Sequence, residues 1–147
     1  MNLNKYDLKV SPNYISFRFV SEGKKGKIFK EIVFTPIENP NIWNLGFGDV
    51  DPISGTISDS ITSDNGDSNK ILATVAYATL LFSDNYPDAL IYAEGSTPSR
   101  TRFYRIGIHK YLEEISETFT IWGLLNDEWQ LFQKNTGYQA FVVKRRL

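Results

Sequence analysis

The residues best suited to chemistry lie in one short stretch, Gly95-Ser96-Thr97-Pro98-Ser99-Arg100-Thr101-Arg102. A strand that runs into a helix here leaves amide N–H groups unpaired at the helix start, where the helix dipole also favours negative charge. Ser96, Thr97 and Ser99 add hydroxyl donors, and Arg100, Arg102 and Arg105 add guanidinium forks that match phosphate oxygens. Gly95 lets the backbone bend sharply and approach a ligand closely. The spacing is not that of a nucleotide-binding P-loop, which needs Gly-x4-Gly-Lys-Ser/Thr. A plainer reading stands beside this one: Thr97 and Pro98 start a helix, and the arginines pair with acids elsewhere.

His109 is the only histidine in the chain. It lies seven residues after Arg102 and four after Arg105, so a helix brings the three onto one flank. Two arginines that hold a phosphodiester while an imidazole moves a proton would make a candidate catalytic site, with His109 as its acid–base group. Against this stands a solvated surface histidine, placed to pair with Glu113 one turn on. The carboxylates Asp49, Asp51, Asp59, Asp64 and Asp67 form the third group. Hard cations take such oxygen ligands, and Asp49 and Asp51 are the better-placed pair, although turn formation and helix capping explain these acids more economically. No serine-hydrolase, dinucleotide or zinc-protease motif is present. With no cysteine, a disulfide framework, a thiol nucleophile and a Cys-ligated zinc are all excluded. No motif calls for a cofactor.

A net charge of −1 hides a strong separation. Residues Glu31 to Ser99 hold ten acids and one base, a net −9, which leaves +8 on the remainder. The bases gather at Arg18 to Lys30, Arg100 to Lys110 and Lys144 to Arg146. Folding that joins these groups would present a positive patch to a phosphate-bearing partner or a nucleic acid.

The elements that must position these residues follow from periodicity. Tyr14 to Ser21 alternates, with Ile15, Phe17 and Phe19 on one face, and Lys27 to Thr35 returns after a two-glycine turn as a hairpin. Asn41 to Gly48 alternates as a third strand. Residues 49 to 67 are polar and read as a long loop. A helix from about Asn69 to Ser83 is apolar on nearly every side, which predicts burial on more than one face. Ala89 to Ala93 is a short strand, and a second helix runs from Pro98 to about Glu117 with Tyr104, Ile108, Tyr111, Leu112 and Ile115 as its inner stripe. Phe119 to Leu124, Trp129 to Gln133 and Tyr138 to Lys144 close the chain as strands. The order βββ-αβα-βββ predicts an α+β fold, a mostly antiparallel sheet with two main helices on one face. At 147 residues the chain fits a single domain, 1–147, with its core at about 14–145. The longest apolar run is too short to span a bilayer and the first residues lack a secretory signal, so the expectation is a cytoplasmic protein with no membrane partner.

Three blocks carry a resemblance: Asn44-Leu45-Gly46-Phe47-Gly48-Asp49, Asn65-Gly66-Asp67-Ser68 leading into Leu72-Ala73-Thr74-Val75, and Gly95 to Arg105. Together they resemble a family of small bacterial proteins of unknown function, over about residues 14 to 145. The resemblance implies one domain and brings no activity or catalytic residue with it.

Three functional readings remain open: a small binding domain for a phosphate-bearing ligand, nucleotide or nucleic acid; a nuclease-like enzyme built on His109; and a non-catalytic interaction subunit or homo-oligomer whose first helix or edge strands meet a partner. Whether the chain is an enzyme is left open by its sequence.

Overall fold

The computed structural model describes residues 4–38, 41–58, 65–95 and 97–146. Its strands are β1 (Lys9–Val10), β2 (Ser16–Gly23), β3 (Gly26–Glu38), β4 (Ile42–Val50), β5 (Ile57–Ser58), β6 (Leu90–Ala93), β7 (Phe119–Leu125), β8 (Glu128–Leu131) and β9 (Ala140–Arg145). The helices are α1 (Ser68–Asn85) and α2 (Pro98–Lys110), with a short α3 (Leu112–Thr118). All nine strands join one sheet in the order β1-β2-β3-β4-β6-β9-β7-β8, and β5 pairs with the far end of β4. Every pairing is antiparallel except β4 with β6, which α1 connects as a crossover. This is the α+β fold that the sequence predicts.

Register shows how alternation builds a core. Phe17 pairs with Ile32 and Ile32 with Phe47, while Phe34 pairs with Leu45, so the large side chains of β2, β3 and β4 share one face. Ile91, Val143 and Ile121 continue that face across β6, β9 and β7. The α1 helix lies on it. Its Phe82 ring stacks on Phe34 with centroids 4.1 Å apart and meets Trp43 at 5.1 Å. Leu72, Val75 and Ala78 are buried as well, which answers the all-round apolarity of α1. Phe103 of α2 stacks on Phe47 of the same face.

The second helix is broken where the sequence predicts one rod. It stops at Tyr111, whose φ of −109° and ψ of 23° leave the helical region, and α3 starts at Leu112. Gly107 fixes the crossing with α1, because a Cβ there would lie 2.5 Å from Leu72 Cδ2.

Candidate functional site

The junction from Gly95 into α2 forms as its residue types demand, but its donors are largely spent on the helix itself. Thr97 is the N-cap: its hydroxyl accepts from the Arg100 amide at 3.2 Å, and Pro98 occupies the first turn. The Gly95 amide donates to the Thr101 hydroxyl at 3.0 Å. A Cβ on Gly95 would sit 2.2 Å from the Thr101 amide nitrogen, so this glycine is required by the fit of the bend against the first turn of α2. Ser96 lies outside the described residues, and Ser99 is exposed.

Arg100 turns inward. It is 5% exposed; its Nη1 donates to the Phe47 carbonyl at 2.9 Å, and its guanidinium lies 4.8 Å from the Phe47 ring centre. On the same ring, 5.6 Å away, sits the ammonium of Lys30, which is 3% exposed and forms a 2.6 Å ion pair with Asp49. Lys30 and Asp49 are direct partners across β3 and β4 on the core face, which explains a buried lysine with no sequence signal of its own. Two cations thus lie near the Phe47 ring, whose face offers the negative quadrupole that both favour.

The other candidate residues of α2 are less buried than Arg100. Arg102 is exposed, and Arg105 and His109 are half-buried. Among the described residues none of the three forms an ion pair or a side-chain hydrogen bond, and the pairing of His109 with Glu113 that the spacing allows is not made. Of the basic segments, Lys30 and Arg100 meet in the interior at Phe47. Arg145 binds Ser83 and Asp84 at the end of α1, and Arg146 donates to the Ser116 and Phe119 carbonyls.

The carboxylates also have separate tasks. Asp51 accepts the amides of Ile53 and Ser54, and those two bonds hold its carboxyl below the usual range. Asp67 stands at the start of α1 without capping it, because its Oδ2 accepts the hydroxyls of Tyr6 and Ser21 instead. Asn65 completes this network, donating to Ser21 Oγ and to the Gly26 carbonyl while its own side-chain oxygen accepts from the Lys25 amide. Burial, and then the bond to Asp67, raise the Tyr6 hydroxyl above its ordinary pKa. Asp59 and Asp64 lie outside the described residues, and among the described residues no three acid or imidazole groups converge as a metal site would require.

A feature that site motifs do not announce lies on the other face of the sheet. All three helices pack on the face that carries Phe17, Phe34 and Phe141. The opposite side chains of β6, β9, β7 and β8 are Tyr92, Val142, Trp122, Leu124, Trp129 and Leu131, placed together by the pairs Tyr92↔Val142, Trp122↔Val142, Trp122↔Leu131 and Leu124↔Trp129. None of them belongs to the core. Trp129 is 45% exposed and Leu131 62%. The Tyr92 and Trp129 rings meet edge to face at 6.1 Å, and burial together with a hydrogen bond to Glu94 pushes the Tyr92 hydroxyl up to about 12. The signal was in the sequence as alternating Trp122/Leu124 and Trp129/Leu131, but alternation alone does not say which face the helices will cover.

Fold and site therefore define a small α+β protein whose described helices cover one face of its sheet. The chain belongs to a family of unknown function (DUF6934), whose model matches residues 2–146. No curated protein and no solved structure matches it. Among the described residues no helix is long and apolar enough to cross a membrane.

Proposed function

We propose that this protein is a non-catalytic interaction subunit that associates with a second copy of itself through the apolar corner formed by Trp122, Trp129 and Leu131. The observation that carries this reading is the exposure of Trp129 and Leu131 on a terminal strand that, among the described residues, has no strand neighbour on its outer side. Scattered exposed apolar residues are ordinary. A contiguous patch of large ones marks a contact surface. α1, the other surface the sequence offers for a partner, is used up in the core. A net charge of −1 leaves little repulsion between two copies. Sedimentation equilibrium over a roughly hundredfold range of concentration tests the reading, since an associating chain gains apparent mass by mass action. A constant monomer mass across that range would reject it.

The reading of a phosphate-bearing ligand keeps one specific support: Arg102, Arg105 and His109 stand on one flank of α2 with no protein partner among the described residues. In this second reading the site is that flank, because Arg100 and the Thr97 hydroxyl are engaged by the protein itself. An Arg102→Ala, Arg105→Ala double variant should then lose affinity for a short oligonucleotide about tenfold or more, with steeper loss at low salt. Unchanged affinity would remove this reading. Cleavage of the oligonucleotide that His109→Ala abolishes would instead support the nuclease-like alternative.

A further inference from the structure

The two edges of the sheet are built differently. At the β1 edge the strand is two residues long and begins with Lys9, Pro12 follows, and the Tyr6 hydroxyl bonds both backbone groups of Glu22 on β2. Short strands, lysines and proline are the devices that prevent an edge from recruiting another strand. At the β8 edge the strand is twice as long and holds neither lysine nor proline. Glu128-Trp129-Gln130-Leu131 has one charge, no proline, and is exposed at every residue.

The β7–β8 turn sets which backbone groups that edge offers. Asn126 and Asp127 have φ of 51° and 64°, the left-handed pair of a two-residue type I′ hairpin closed by Leu125 and Glu128. In such a ladder hydrogen-bonded pairs alternate, so Glu128 and Gln130 direct their N–H and C=O groups to β7. The bond from the Phe132 amide to the Ile121 carbonyl continues the same alternation. Trp129 and Leu131 then turn theirs outward. Among the described residues the Tyr138 hydroxyl, 3.5 Å from the Leu131 carbonyl, is the one hydrogen bond to that side, and it leaves a lone pair on the oxygen.

We infer that β8 pairs antiparallel with β8 of a second copy about a two-fold axis through Gln130, which joins the two sheets into one. This inference rests on the self-association proposed above and names its register. The pattern is self-complementary: Trp129 meets Leu131 of the second copy in a hydrogen-bonded pair, Leu131 meets its Trp129 likewise, and Gln130 faces Gln130 across the axis. A shift by one residue would set these outward groups opposite ones already directed to β7, and would place Trp129 opposite Gln130 or Phe132 instead of Leu131. With the symmetric register, the Trp122–Leu131 row runs on into the second copy's Trp129, so apolar side chains stay adjacent across the junction.

The absence of cysteine gives a clean test. Across a non-hydrogen-bonded antiparallel pair the Cα atoms lie about 4.5 Å apart, within disulfide reach. Oxidised Gln130→Cys should therefore form a covalent dimer in high yield, and Glu128→Cys, displaced from the axis by roughly 7 Å in each chain, should not. Leu131→Lys in the Gln130→Cys background should suppress the cross-link while the far-ultraviolet spectrum stays that of the folded chain. If the wild type is dimeric but Gln130→Cys stays uncross-linked, or Glu128→Cys cross-links as well, the register is wrong and the interaction reading survives. A wild type that is monomeric at every concentration overturns both.

Discussion

Lys30 and Asp49 show how one pair can decide the interior. A lysine is almost never fully buried without a partner, and here the partner stands directly opposite on β4, 2.6 Å away. Removing one member leaves the other charged and desolvated, so Asp49→Ala should cost about 3–5 kcal/mol in urea-induced unfolding. The Lys30→Met, Asp49→Leu double variant removes both charges and should recover most of that loss; a double variant as unstable as the single one would show that the pair is not what holds these strands. Tyr92 supplies a pH dependence. Its folded pKa of about 12 lies above the ordinary value of 10.0, so the stability it contributes is complete below pH 10 and disappears as pH rises to about 12. Tyr92→Phe should flatten the stability profile between those values, as followed by thermal melts across that range. Equal alkaline loss in wild type and variant would contradict the placement of this hydroxyl.

Among the elements, α1 has the clearest energetic role. Phe82 is fully buried and lies against Phe34, Trp43 and Tyr86. Phe82→Ala should destabilise the protein by about 3–5 kcal/mol by chemical denaturation, whereas Ile53→Ser, at a loop position 97% exposed, should stay within about 0.5 kcal/mol. Much of this level was legible in the sequence. Strand alternation separates Phe17 and Phe19 from Arg18 and Val20, and the Thr97-Pro98 pair marks the start of α2. What was not legible depended on partners distant along the chain. Asp67 reads as a cap, yet Tyr6, 61 residues away, takes its carboxylate. Arg100 reads as a ligand contact, yet the Phe47 ring and carbonyl draw it inward. The break at Tyr111 lacks a glycine or proline to announce it, and the two-residue β1 and β5 are too short for any period to show.

At the scale of the molecule, the helices cover one face of a nine-stranded sheet, and on its other face, among the described residues, Trp129 and Leu131 are exposed. Four of the basic residues behind the charge separation, Lys30, Arg100, Arg145 and Arg146, each serve a structural contact. Among the described residues, the outer side of β8 and the aromatic corner beside it have no strand neighbour. Pairing with a second copy would extend the sheet and cover that edge. The most direct measurement is amide hydrogen exchange at Trp129 and Leu131 in dilute and concentrated solution, residue by residue by NMR. The inter-copy pairing predicts that these two amides slow markedly as concentration rises, while Gln130, already bonded to β7, changes little. Exchange at Trp129 and Leu131 that is equally fast at both concentrations would contradict the account.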